Sequence, residues 1–161
     1  MLPVYRTILY ATDLSANAAH AFRHAMALAR SFDARLCLLH VLPEVEPAVL
    51  NYVATVMGEE RLADMELGHK AEVREEIARR IEAFAHEELA DHPEDRARLA
   101  EIRVRHGNPA ARILGEADDL GADLIVLGSH GKGRLHYTFL GSVAEKVLHR
   151  AKRPVLVVPL G

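Results

Sequence analysis

Apolar residues along this chain follow two alternating regimes: short continuous runs, and longer stretches in which they recur every third or fourth position. A continuous run suits a strand whose sheet is covered on both faces, and the longer period suits a helix with one buried stripe. Thr7 to Ala11, Arg35 to Leu42, Asp123 to Leu127 and Pro154 to Pro159 are runs of the first kind, and Glu101-Ile-Arg-Val-Arg alternates as a further strand ended by His106-Gly107. Ala18, Phe22, Met26 and Ala29 form a helical stripe with Ser15 as its expected N-cap. From Ala71 onward Val73, Ile77, Ile81 and Phe84 form another, with Glu and Arg opposite, and it fades by His92-Pro93. Asn108-Pro109 supplies an N-cap and a first-turn proline for a helix through Ile113, Leu114 and Ala117, and Ser142 to Arg150 is the last helix.

Strands alternate with helices and no internal repeat intervenes, which predicts an α/β fold built on a single doubly wound, five-stranded parallel sheet. At 161 residues, half of them apolar, the chain suits one domain over residues 1–161 with a sizeable core. Pro43 to Gly68 breaks the pattern with two prolines, two glycines and scattered apolar residues. A variable, mobile connection holding one short helix is expected there, over about residues 43–69.

Charge narrows the partners. Twenty Lys and Arg against 23 Asp and Glu give a formal charge of −3, so no global basic field points to nucleic acid. The one cysteine, Cys37, sits inside the apolar run Leu36-Cys-Leu-Leu-His-Val41 and excludes an intramolecular disulfide framework. Met1-Leu-Pro-Val-Tyr-Arg leads into the first strand without a charged leader and apolar core, and no apolar run approaches membrane-spanning length. A soluble cytoplasmic protein with no membrane insertion is the expectation.

The candidate chemistry lies behind the fourth strand, in Gly128-Ser-His-Gly131-Lys-Gly133-Arg-Leu-His-Tyr-Thr-Phe-Leu-Gly141-Ser142. Glycines let backbone N–H groups approach an anion closely, and Ser142 opens a helix whose dipole points inward, so the segment reads as a phosphate cradle. The Walker pattern is absent, and the spacing does not fit a nicotinamide-type Rossmann fingerprint. In a doubly wound sheet ligands bind beyond the strand carboxyl ends where the strand order reverses. The chemically unusual ends are those of the first and fourth strands, so these should be neighbours, as in the order 3-2-1-4-5. Asp13 then faces the glycine loop, able to accept from ribose hydroxyls or hold magnesium.

Two residues separate Gly128 from Gly131, nine separate Gly131 from Gly141, and a hydroxyl residue follows. With Ile8-Leu-Tyr-Ala-Thr-Asp-Leu-Ser15, Val143-Ala-Glu-Lys-Val-Leu148 and Pro154-Val-Leu-Val-Val158, this resembles the nucleotide-binding branch of the universal stress protein family, the UspA domain. The resemblance implies a Rossmann-like three-layer sandwich of the adenine nucleotide alpha-hydrolase-like kind, with order 3-2-1-4-5. It assigns Thr12, Asp13 and Val41 to adenine and ribose, and Leu127, Gly128, Gly131, Gly141, Ser142 and Val143 to the phosphates. ATP is the first ligand it implies, with ADP or AMP as alternatives and Mg2+ alongside.

Other residues carry less. His20 and His24 lie one turn apart, but no third ligand is evident, so they read as surface histidines rather than a zinc site. His130, His136, Lys132 and Arg134 read as loop residues outside the core set. No nucleophile and base pair is visible, and the catalytic set is empty. The fifth strand, Pro154 to Pro159, has no charge to discourage pairing at a sheet edge, and with the resemblance predicts a homodimer. Three functions follow: a regulatory ATP-binding homodimeric switch in the stress response, read by an unknown protein partner; a slow ATP hydrolase or phosphotransferase; and a nucleotide-independent adaptor of a transporter or other protein. Of these the switch leads, with weak ATPase activity as the most that enzyme chemistry contributes.

Overall fold

The computed structural model describes residues 1–15, 17–44, 46–129 and 140–159. Strands β1 (Thr7–Thr12), β2 (Arg35–Leu42), β3 (Leu99–His106), β4 (Leu124–Gly128) and β5 (Val155–Val158) form one parallel sheet in the order β3-β2-β1-β4-β5. Helices α1 (Ala18–Phe32), α2 (Pro47–Met57), α3 (Glu59–Glu88), α4 (Pro109–Leu120) and α5 (Ser142–Arg150) accompany them, with a 3-10 helix at Pro93–Arg98. The α/β class, the parallel sheet and the order 3-2-1-4-5 are those the sequence predicts.

Alternate side chains of each strand divide the core in two. Ile8, Tyr10, Leu36, Leu38 and Val126 pack with Phe22 and Met26 of α1 and Ile77 and Ile81 of α3. Leu9, Cys37, Leu39, Ile125 and Leu127 pack on the other face with Ile113 and Ala117 of α4 and Val147 of α5. Connections leading away from β1 toward β3 thus cross over one face and those leading toward β5 cross over the other, as right-handed crossovers require. Ala18, Phe22, Met26 and Ala29 are all buried, as their spacing predicts. Asn108 caps α4 as read, its Oδ1 accepting from the Ala111 amide at 3.1 Å.

Two local expectations need correction. Ser15 is not the N-cap of α1: Leu14 takes a left-handed φ of 58°, and the turn around it delays the helix until Ala18, with Asn17 at the cap position. The stretch after Pro43 is mostly helical rather than a connection with one short helix. Pro47 occupies the first turn of α2, where its missing N–H costs nothing. Gly58, at φ 91°, makes the corner into α3, which is 30 residues long and starts well before Ala71. Periodicity could not show this, because α2 is polar only at Asn51 and Thr55, and on α3 the line of Val73 and Ile77 is interrupted before them by the polar Glu66 and Lys70.

Ion pairs fasten the helices where apolar packing ends. Glu116 of α4, 4% exposed, accepts from Arg103 and from Arg105 Nε at 2.7 Å, both on the edge strand β3. Burial alone would raise its pKa, but the two guanidinium bonds hold it below the usual carboxylate range. Asp95 in the 3-10 helix, 3% exposed, accepts from Arg30 of α1 and from Arg98, and the Arg30 bond is the chief reason its pKa is lowered.

A carboxyl group that releases its proton more readily folded than unfolded stabilises the protein fully above its unfolded pKa, and that contribution fades as pH falls through the folded value. Asp95→Asn should therefore lower the thermal midpoint near neutral pH yet flatten its fall below about pH 4. Thermal melts of both proteins between about pH 2.5 and 7 check this, and parallel curves would contradict it.

Candidate functional site

The carboxyl end of β1 is a turn held by its own side chains. Thr12 Oγ1 accepts from the Leu14 amide at 3.0 Å, Asp13 Oδ1 accepts from the Ser15 amide at 2.9 Å, and the Ser15 carbonyl accepts from the Ala18 amide at 3.0 Å. These bonds offset the cost of the left-handed Leu14, which a branched apolar residue rarely adopts. His40 supports the turn from below: buried in β2 opposite Thr12, it places Nδ1 2.8 Å from the Thr12 carbonyl oxygen. A carbonyl only accepts, so Nδ1 carries the proton. Tyr10 also reaches forward, donating its hydroxyl to the Ala18 carbonyl at 2.9 Å, and burial pushes its phenol pKa well up.

The end of β4 lies beside this turn, because β1 and β4 pair in parallel with Ala11 opposite Leu127. Gly128 is half-buried opposite Val158, and the Ser129 amide donates to the Val158 carbonyl at 2.8 Å. The Gly141 amide in turn donates to the Ser129 carbonyl at 2.7 Å, bringing the start of α5 back to the strand it left. Gly141 is the N-cap of α5 and provides no side-chain cap for the first helical amides. A helix N-terminus of this kind attracts an anion.

The predicted residues are thus distributed as follows. Thr12, Asp13, Gly128, Gly141, Ser142 and Val143 stand at the carboxyl ends of β1 and β4 and the start of α5. Ser142 is exposed, while Val143 is half-buried against the α4–α5 side of the core. Leu127 is 3% exposed and packed in that core, so only its backbone can meet a ligand. Val41, half-buried near the end of β2, packs on the same core as Ala11. Gly131 lies outside the described residues, as do His130, Lys132, Arg134 and His136.

His40 is the supporting residue that the sequence reading missed. Its signal is a polar residue in an otherwise continuous apolar strand. At the end of β3, burial and the nearby Lys70 and Arg74 hold the His106 pKa below its ordinary value, favouring the neutral ring. His20 and His24 meet edge to face, centroids 4.9 Å apart. No cluster of three or more potential metal-ligating side chains occurs among the described residues. A surface pocket lined by Leu114, Asp118, Ile125, Arg150 and Arg153 lies at the other end of β4, where that strand begins.

An open parallel sheet with helices on both faces defines an α/β protein of the doubly wound class, and the polar turn and the helix N-terminus lie where strand order reverses, the point at which that class binds its ligands. The family can be named as well. Residues 4–159 match the model of the universal stress protein family, and this chain belongs to that family. It is 32% identical to universal stress protein MJ0577 of Methanocaldococcus jannaschii, over 98% of this chain and 97% of that protein. The solved structure of MJ0577 superposes with a TM-score of 0.74, covering 99% of each chain. A universal stress protein of Thermus aquaticus is 37% identical over 96% of this chain and 99% of its own length. The fold is also shared, at 22% identity and a TM-score of 0.54 over 98% of both chains, with a universal stress protein solved in complex with cAMP.

The β1 turn makes a prediction about stability. Thr12 is 8% exposed, and Thr12→Val keeps its shape while removing the acceptor for the Leu14 amide. Chemical denaturation should show a loss of about 0.5–1.5 kcal/mol, the range for one hydrogen bond, because the Leu14 amide is only part-buried. No loss would mean that the turn holds without this bond.

Proposed function

We propose that this universal stress protein binds an adenine nucleotide, ATP first, across the carboxyl ends of β1 and β4, and works as a nucleotide-dependent homodimeric switch in the stress response. The observation that carries this reading is the pairing of β1 with β4, which sets the Thr12–Asp13 turn beside the α5 N-terminus at the reversal of strand order. In this reading Thr12, Asp13 and Val41 take the adenine and ribose. Leu127 through its backbone, with Gly128, Gly131, Gly141, Ser142 and Val143, takes the phosphates.

The donor set fits such a ligand. Glycine at 128 and 141 allows close approach of the backbone, the α5 amides favour negative charge, and Asp13 offers the one carboxylate that magnesium needs when phosphates and waters supply its other oxygens. Bound Mg2+ would screen the phosphate charge. Asp13 keeps Oδ1 on the Ser15 amide, so the turn itself orients the carboxylate. Binding would select one arrangement of the surrounding surface, which a protein partner reads. Such a shift can be no larger than the difference in affinity between the two arrangements. We place the protein in the cytoplasm, and no described helix is long and apolar enough to cross a membrane.

Native mass spectrometry of gently purified protein, followed by titration with ATP and magnesium, tests the reading. Stoichiometric uptake of ATP is expected, and a folded protein that takes up no adenine nucleotide would overturn it. Asp13→Asn keeps an acceptor for Ser15 while removing the charge, so the apparent Kd for ATP with magnesium should rise about tenfold, equivalent to about 1.4 kcal/mol. Without magnesium the loss should be smaller, since only the ribose contact is affected and a like charge has gone. Equal weakening in both conditions would remove the metal role and leave Asp13 on the ribose alone.

The homodimer is proposed through the fifth strand, Pro154 to Pro159. The carbonyls of Pro154 and Val158 accept from the amides of Ile125 and Ser129, so alternate residues face β4 and the amides of Val155 and Val157 face the open edge. Val157→Pro removes one outward N–H and leaves the β4 ladder intact. Sedimentation should show the variant as a monomer at concentrations where the parent is a dimer. A dimer unchanged by the substitution would remove β5 from the interface.

A further inference from the structure

The surface of α2 does not resemble that of a finished helix. Pro47-Ala-Val-Leu-Asn-Tyr-Val-Ala-Thr-Val-Met57 contains no charged residue, and its Thr55 hydroxyl is already spent on the Asn51 carbonyl at 2.9 Å. Leu50, Val53, Ala54 and Met57 are half-buried at helical spacing, and α3 is the helix on which α2 packs. The other side carries Val49, Tyr52 and Val56, which are 50%, 72% and 73% exposed. Spacings of three and four residues put these on one face. A helix with so little polar surface is ordinarily buried, and α2, polar only at Asn51 and Thr55, buries no residue completely.

Charge around this face selects what fits it. Glu44 and Glu46 precede α2, Glu59 and Glu60 follow it, and residues 44–60 contain no Lys, Arg or His. All four carboxylates are exposed, and they bracket an 11-residue helix, about 16 Å long. We propose that α2 is a docking surface for a basic amphipathic helix of another protein, with Val49, Tyr52 and Val56 packing on its apolar stripe and the bracketing glutamates meeting its Lys or Arg residues. An aromatic anchor between aliphatic neighbours, with charge at the rim, is the usual anatomy of such contacts. A second copy of this chain fits poorly: since both ends of α2 are acidic, parallel and antiparallel pairing alike oppose carboxylates. An anionic membrane meets the same repulsion. The proposal does not depend on nucleotide binding.

The test uses the full chain and a labelled, helix-forming peptide of about 16 residues, with leucines at helical spacing and lysines at both ends, beside a twin carrying glutamates in place of lysines. Fluorescence anisotropy should show saturable binding of the lysine peptide, at least about tenfold tighter than the twin, and weakening severalfold between about 50 and 300 mM salt. Substituting Val49→Ser, Tyr52→Ser and Val56→Ser together should weaken it at least about tenfold, and Glu46→Gln with Glu59→Gln should flatten the salt dependence. Tyr52→Ala alone gives a milder variant, and thermal melts check that each is folded. Bound peptide should also slow amide exchange over residues 47–57. Equal binding of both peptides, or binding indifferent to the triple substitution, would overturn the proposal. So would a dimer abolished by that substitution, which identifies a second copy as the occupant, or flotation with neutral phosphatidylcholine vesicles abolished by it, which identifies lipid.

Discussion

Strand β1 has a hydrogen-bonded neighbour on each edge, and the pairing with β4 is the one that no local sequence signal can create, since more than 110 residues separate Ile8 from its partner Leu124. Asp123 fixes it at the entrance: its Oδ2 accepts from the Arg6 and Thr7 amides at 2.8 and 3.0 Å, while its own amide donates to the Thr7 carbonyl at 2.8 Å. From that clip the register runs forward to Ala11 opposite Leu127. Because right-handed crossovers must leave β1 in opposite directions on its two sides, α1 and α3 cover one face and α4 and α5 the other. A gap opens where the two sets part, and the Asp13 turn and the α5 N-terminus stand on either side of it.

Polar groups then hold the outer elements to this frame at points where burial alone would not orient them. Glu116 joins α4 to the edge strand β3 through Arg103 and Arg105, and Asp95 joins the 3-10 helix to α1 through Arg30. Each carboxylate is deeply buried and its arginines are more exposed, so the guanidinium groups keep water on one side while neutralising the charge on the other. Paired burial of this sort fixes position more than it adds net stability.

The two proposed sites follow opposite designs. At the β1 end, short side-chain-to-backbone bonds and the buried His40 fix the backbone in advance, which would lower the ordering cost of the proposed binding. At α2 the chain instead builds an apolar surface and leaves it facing solvent at the side of the molecule. Membership of the universal stress protein family accounts for the first design through its fold. The second is a property of the stretch between Pro43 and His69, whose uncharged α2 follows from its own residues.

The sequence by itself determined the elements whose burial is periodic. Continuous apolar runs set β2 at Arg35–Leu42, the stripe from Ala18 set α1, and the Asn108-Pro109 pair set the start of α4. The glycine spacing identified the candidate site and the family, because glycine and a helix-opening hydroxyl leave a trace in local sequence. Periodicity was silent about α2 and the start of α3, where one helix is polar only at Asn51 and Thr55 and the other sets Glu66 and Lys70 in line with its later stripe, so neither shows a continuous one. The tertiary structure alone decided that Leu14 would turn left-handed and displace the cap from Ser15, that His40 would reach the Thr12 carbonyl, and that Leu127 would turn its side chain into the core. Each of these depends on a neighbour distant in sequence or on a backbone angle set by competing hydrogen bonds, and such contacts exist only once the sheet has formed.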